Sequence, residues 1–392
     1  MMRISAAVEA LVPEMTAWRH HLHAHPELGY EEHGTQAFVA GKLKEFGVDE
    51  VVTGMAGTGV VGVIRGKRPG NRSIGLRADM DALPITELTG KPYASTNPGR
   101  MHACGHDGHT TMLLGAARHL SQSRDFAGSV VLIFQPAEEG GAGARKMIED
   151  GLFERFPVEV VYGMHNWPQM PLGSFAMHRG PVMAATDEIR IEIAGKGCHA
   201  AMPHTGVDPV VAAAQLVSAL QNIISRETDP MDRAVLSITA INAGSAFNVV
   251  PDTATLKGTV RTFRADTRKR VVGRIREMVE AFAKAFGVAM ELHHREGYPP
   301  TINHDEQAAF GAEVAAGIVG EPNVARDQLP SMGGEDFSFM LEKVPGAYIW
   351  MGVGGAEEGR ILHNAKYDFN DAALPVGVSW WTGLVERHLS AG

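Results

Sequence analysis

The chain has 392 residues, 44% of them hydrophobic and 21% charged, a balance that suits a globular protein too long for one ordinary core, so two domains are expected. Its 36 Lys and Arg against 45 Asp and Glu leave a net charge of −9, and with no block of basic residues to offset it this excludes a general nucleic-acid surface. Two cysteines, Cys104 and Cys198, are too few for a disulfide framework and point to a reducing compartment.

In chain order, Val8, Leu11, Met15, Trp18 and Leu22 recur at three- or four-residue spacing and predict a helix over 5–25. This N-terminal stretch lacks an apolar segment followed by a small-residue cleavage site, and no apolar run in the chain approaches the ~20 residues of a membrane span. A cytoplasmic protein with no membrane partner is therefore expected. "HPELGYEE" breaks the first helix, and a second runs from Thr35 to Phe46, stopped by Gly47. Strands are predicted over 59–66 and 73–80, a helix from after Gly108 to about Ser121, and a buried central strand in "GSVVLIFQPAEE". A short helix, Ala144 to Asp150, and the buried strand "VEVVYGMHN" come next. Strands alternating with helices imply an α/β layer with a mainly parallel, mixed sheet. The pattern changes at about residue 185. An alternating strand (186–195), a helix begun by Pro209, two alternating strands, a helix ended by Gly287 and a last strand read β-α-β-β-α-β, the ferredoxin-like α+β arrangement. This predicts an inserted domain over 185–297 between two catalytic-domain segments, 1–184 and 298–392. The second segment carries a helix over 305–319, the strand "VPGAYIWMGVG" and a terminal helix near 374–389.

Polar groups gather at the ends of the first-domain strands: Asp79 and Asp81, Glu138 and Glu139, and His165. Strand carboxyl ends are where open α/β sheets form their sites. In "MHACGHDGH", Cys104 and His106 are one residue apart, a spacing that turns both side chains to one side in extended backbone. Thiolate and imidazole suit Zn²⁺ and other late divalent ions, although a polar helix start fits this stretch equally well. Adjacent Glu138 and Glu139 repel, and burying them requires a cation or a proton; a solvated loop is the other reading. With a cation present, one glutamate can bind it while the other serves as base. His165 and His363 each read alone as structural more often than ligating, yet together with Cys104, His106 and Glu139 they form a five-donor set. That set can hold one or two ions. Asp79 can orient a metal-binding histidine or simply occupy a turn. In the inserted domain, His199 could donate to an oxyanion, and Asn248 with Arg261 could receive a carboxylate; an ordinary surface arginine is the alternative.

Taken together, "GLRADMDALP", "MHACGHDGHTTMLLGAA", "QPAEEGGAGA", "GMHNWP", "GKGCHAAMPHTGVDPV", "NVVPDTATLKGTVRTF", "MGGEDFSFM" and "LHNAKYDF" resemble the metal-dependent amidohydrolases. That family includes hippurate hydrolases, aminoacylases, indole-acetyl-amino-acid hydrolases and N-acetyl-diaminopimelate deacetylases, and more widely metallo-carboxypeptidases and dipeptidases. The resemblance spans nearly the whole chain. It implies a metallopeptidase-like catalytic domain with an inserted lid, and hydrolysis of N-acyl-amino acids to a carboxylic acid and an amino acid. It also implies a divalent cofactor (Zn, Mn, Co or Ni, as one or two ions) held by Cys104, His106, Glu139, His165 and His363. Glu138 would be the general acid/base, His199 would serve the carbonyl oxygen, and Asn248 and Arg261 the substrate carboxylate. A homodimer or homotetramer joined through the lid is implied as well, the lid histidine acting across the subunit interface in related dimers. One departure separates this chain from the peptidase branches, which carry His-x-Asp where it reads Arg77-Ala78-Asp79. Guanidinium offers no lone pair, so position 77 cannot ligate. That tilts the expectation toward aminoacylase and away from carboxypeptidase.

Overall fold

A computed structural model describes residues 2–390. The chain divides into two compact units. The first runs up to Val182, returns for Ile302–Leu329 and again from Asp336 onward; the second comprises Met183–Thr301 and Pro330–Glu335. Among the described residues no helix is long and apolar enough to cross a membrane.

The first unit is built on an eight-stranded mixed sheet. Its strands include β1 (Glu50–Met55), β2 (Gly59–Arg65), β3 (Arg68–Asp79), β4 (Ala127–Gln135) and β5 (Val160–Trp167). The order is β1-β2-β4-β3-β5, then Gly346–Gly352, Phe175–Met177 and Val324–Ala325. β3 pairs in parallel with β4 and with β5, and β5 with Gly346–Gly352. The run from Val130 to Phe134 is buried because helices and loops cover both faces of a parallel layer. Parallel pairing brings the carboxyl ends of β3, β4 and β5 to one edge, with Asp79 directly opposite Gln135.

The N-terminal half of this unit carries the helices α1 (Ala6–Glu9), α2 (Val12–Ala24), α3 (His33–Glu45) and α4 (His106–Ser123). The single helix expected over 5–25 is thus two. Pro13 stands at the start of α2, and its ring cannot continue a helix through the turn before it. α4 begins at His106, earlier than Gly108, because Gly105 takes a left-handed conformation (φ 93°) that caps it. β1 and the short strands Phe175–Met177 and Val324–Ala325 extend the sheet at its edges; β1 is largely exposed and too weakly patterned to read as a strand.

The second unit holds a four-stranded antiparallel sheet, ordered Ala234–Ala243, Thr253–Thr262, Ala185–Ala194, Ala289–Glu296. That is the order of a split β-α-β fold. Burial alternates along Ala185–Ala194. Ile189, Ile191 and Ile193 share a core with Leu216 and Leu220 of one helix and Val271 and Ile275 of the other.

In the first unit a buried ion cluster fastens α2 to α4. Arg19 Nη1 lies 2.9 Å from Asp368 and 3.6 Å from Asp107, and its Nε 2.7 Å from Asp371. His23 bridges two acids, Nδ1 to Asp107 at 2.8 Å and Nε2 to Glu87 at 3.2 Å. Burial opposes its charge, but the hydrogen bonds to Asp107 and Glu87 prevail and push its pKa up to about 9. Raised from 6.5, such a group contributes fully below about pH 6.5, and its contribution is lost as pH rises through 9. The stability gap between wild type and His23→Gln in urea unfolding should therefore be wider at about pH 6 than above pH 9, by ~3 kcal/mol. A gap that does not change with pH would refute the bridge.

Candidate metal centre

The centre is assembled at the carboxyl edge of the sheet, where three strand ends meet the start of α4. Gly105 must be glycine here: a Cβ at this residue would stand 2.5 Å from Asn166 Oδ1. The tight turn carries Cys104 and His106 to either side of it, both buried. Cys104 Sγ lies 3.4 Å from His165 Nε2 at the end of β5. His165 Nδ1 donates to the carbonyl of Asn166 at 2.7 Å, which fixes the tautomer and leaves the Nε2 lone pair on the cysteine side.

Asp81 governs the other half. One of its oxygens meets His106 Nδ1 at 3.1 Å; the other accepts the Glu139 backbone N–H at 2.9 Å. A single buried carboxylate thus orients two of the expected ligands. His106 Nε2 is buried with no hydrogen-bond partner. Glu139 Oε1 lies 3.2 Å from Nε2 of His363, whose backbone is left-handed (φ 61°) and whose N–H donates to Ala103 O.

Overlapping triads result: Cys104, His106 and His165; Cys104, Glu139 and His363; His106, Glu138 and Glu139; and Asp79, His106 and His109. In each, one donor atom per residue lies within 4.8 Å of the others. All five expected ligands and Glu138 are therefore gathered. The donor set fits a late divalent cation: one thiol, three imidazoles and a carboxylate, with the inward His106 nitrogen awaiting a partner. Electrostatics agree. Burial, then the charges of Glu139, Glu138 and Asp79, hold the Cys104 thiol well above its usual range. Burial resists charging His106, yet Asp79, Asp81 and Glu139 push it up to about 10. A cation would answer this excess of negative charge and release both protons.

Asp79 adjoins these donors. It meets His109 Nδ1 at 2.6 Å and lies 3.8 Å from His106 Nε2. The far side of His109 is occupied by Asn166, whose backbone N–H donates to Nε2 at 3.1 Å. Both nitrogens of His109 are thus engaged, and its ring lies against those of His106 and His165, at centroid distances of 5.4 and 4.6 Å. Arg77, wholly buried, spends its guanidinium on Asp79 (2.8 Å), Asp336 (3.0 Å) and Gln135 (2.7 Å). His102 is buried, with both ring nitrogens lacking hydrogen bonds; burial pushes its pKa down to about 4 and keeps it neutral.

In the second unit, His199 pairs with Val249 in a two-stranded ladder, and Ala200 N donates to Asn248 O at 3.0 Å. The ladder brings His199 and Asn248 side by side, both exposed. Arg261 stands apart from them, half-buried on the four-stranded sheet opposite Thr186 and Val235. The roles of Asp81, Asn166 and Asp336 escape sequence reasoning. Each stands in a stretch that the sequence singles out, Asp81 in "RADMD", Asn166 in "GMHNWP" and Asp336 in "MGGEDFSFM", but nothing there indicates its partner.

The profile of peptidase family M20/M25/M40 matches residues 75–387. The chain is 45% identical over 374 residues to a hippurate hydrolase of Campylobacter jejuni, covering 95% of each. It is 42% identical over 368 residues to an N-acetyl-L-cysteine deacetylase of Bacillus subtilis, covering 94% of this chain and 86% of that one. The crystal structure of a Bacillus subtilis protein described as a dinuclear metal binding peptidase superposes with a TM-score of 0.82 at 37% identity, over 97% of this chain and 99% of that one.

Asp81→Asn keeps the shape of the side chain but weakens its grip on His106. Zn²⁺ affinity, measured by chelator competition, should fall by about 10- to 100-fold. Unchanged affinity would remove Asp81 from the centre.

Proposed function

The chain belongs to peptidase family M20/M25/M40, and on that premise we infer a metal-dependent amidohydrolase that cleaves the amide bond of N-acyl-amino acids to a carboxylic acid and a free amino acid. The observation that carries the reading is Glu138, set in one triad with His106 and Glu139 beside the other gathered donors. A cation held by Cys104, His106, Glu139, His165 and His363 (zinc, manganese, cobalt or nickel, as one or two ions) would polarise the scissile carbonyl and acidify the attacking water.

Glu138 takes the proton from that water as it attacks, and returns it to the departing amine nitrogen as the C–N bond breaks. His199 donates to the carbonyl oxygen while negative charge builds there. Arg261 receives the substrate's free carboxylate as a planar two-pronged donor, and Asn248, which with His199 stands apart from Arg261 within the chain, reaches the same carboxylate from a second copy joined through the second unit. Arg77 favours aminoacylase over peptidase chemistry, since its three hydrogen-bonded partners fix it as a counterion. Two free thiols, Cys104 and Cys198, support a cytoplasmic setting. Family resemblance supports a homodimer or homotetramer joined through the second unit.

Glu138→Ala should retain metal yet lose ~10²–10⁴-fold in kcat; near-normal turnover would end the assignment. Arg261→Ala should raise KM for substrates with a free carboxylate far more than for their amides, and an equal effect on both would exclude the carboxylate role. The acyl preference would be read from amino-acid release across benzoyl, acetyl, indole-acetyl and long-chain acyl amino acids. Release from none of them, with metal bound, would overturn the reaction itself.

A further inference from the structure

In the sequence, "HPELGYEE" only separates two helices. In the structure, it grips both loops that bring acids to the centre. Ala82 N, one residue beyond Asp81, donates to Glu27 O at 2.8 Å, and Leu28 bridges to Ala82. The second loop is the turn from Ala137 to Gly141, which bears Glu138 and Glu139. It is held at both ends. Glu32 accepts the Ala137 N–H at 2.8 Å, and the Tyr30 hydroxyl donates to the Gly141 carbonyl at 2.7 Å. Ala137 has φ 52°, a left-handed conformation that a non-glycine residue keeps only when its surroundings enforce it. Packing is close as well: a Cβ on Gly29 would stand 3.0 Å from the Ala137 Cα and Cβ.

Glu32 is wholly buried. Its other oxygen accepts the Thr58 hydroxyl at 2.5 Å, and no cation pairs with it among the described residues. Burial pushes its pKa up to about 7, opposed by the Thr58 bond and reinforced by Asp81. A buried acid with no counterion costs stability, and stability alone gives no reason to place one there.

We infer that Glu32 is a positioning residue for the reaction: through the Ala137 N–H it sets the turn that aims Glu138 and Glu139, with Tyr30 holding the far end. Removing the acceptor orphans that N–H and frees the turn to relax. Misplacement on the scale of 1 Å costs about 10²-fold in rate. The kinetic readout of this role rests on the proposed acyl-amino-acid hydrolysis, while its metal readout needs no substrate.

The test compares Glu32→Ala, Glu32→Gln and Tyr30→Phe with wild type, using hippurate turnover and Zn²⁺ affinity by chelator competition. Glu32→Ala should lower kcat about 10²-fold with KM nearly unchanged, and should weaken Zn²⁺ binding about tenfold because Glu139 shares the turn. Glu32→Gln keeps an acceptor for Ala137 and should restore both. Tyr30→Phe, at an exposed residue, should fold normally and lower kcat by several-fold. A folded Glu32→Ala with unchanged kcat and Zn²⁺ affinity overturns the inference, as does a change in KM alone, or a Glu32→Gln as damaged as the alanine variant. If Glu32→Ala does not fold, the other two variants decide: near-normal Glu32→Gln with slowed Tyr30→Phe supports the inference, and a Tyr30→Phe equal to wild type overturns it. A wild type that cleaves no acyl-amino acid, beside a Glu32→Ala that loses Zn²⁺ affinity, would sink the reaction and keep the positioning role.

Discussion

Asp79 and Asp81 carry negative charge to the inner end of a parallel strand where water does not reach, and much of the first unit is organised around answering it. A carboxylate in such a place needs a cation or hydrogen-bond donors. Asp79 receives Arg77 and His109; Asp81 receives His106 and the Glu139 N–H. These two short strings of contacts divide the space. The first is closed upon itself, a buried ion pair extended through Asp336 and Gln135. The second ends at His106 and Glu139, two of the gathered donors. One strand end thereby supplies both a buried counterion network and support for the donor cluster.

Backbone conformation then sets how finely the pocket is drawn. Gly105 turns the chain between two donors in a space that no side chain could share. Ala137 and His363 adopt left-handed conformations beside Glu138 and at one of the gathered donors, respectively. Parallel strands bring residues to a common edge with a spacing fixed by the ladder, but a compact donor cluster demands smaller adjustments than strand geometry provides. Turns supply them, each held by hydrogen bonds from a neighbouring segment.

The donors are legible in the sequence because their residue types suit a cation, and Cys104, His106, Glu138 and His165 are costly to bury without a reason. Cys104, His106, the Glu138–Glu139 pair, His165 and His363 stand at the ends of apolar runs, and their chemistry converges on one explanation. The α/β layer and the ordered split fold are legible from hydrophobic period. What the sequence conceals is who holds whom. Asp79 and Asp81 are two residues apart with identical side chains, and only the folded course of the chain at the end of β3 determines which hydrogen-bonds His109 and which His106. Arg77 is informative in sequence solely for what it cannot bind; its counterion role depends on Asp336, 259 residues away. The break of the first helix was signalled by Pro13, but the apolar spacing runs across it and outweighs that signal. The edge strand β1 has too little buried surface to leave a pattern.

Among the described residues six non-glycine positions have positive φ, and Tyr30, Ala137, Ala142 and His363 are four of them. All four lie in or against the turns that bear Glu138, Glu139 and His363. Left-handed backbone at such residues costs on the order of 1–3 kcal/mol each and persists only under enforcement from packed surroundings. Most of the backbone tension that the described residues of the first unit show is therefore concentrated around Glu138, Glu139 and His363. On warming, the turns would be the first part to yield, so catalytic competence fades before the fold melts. In such a molecule a thermal melting curve overstates the temperature range of useful work.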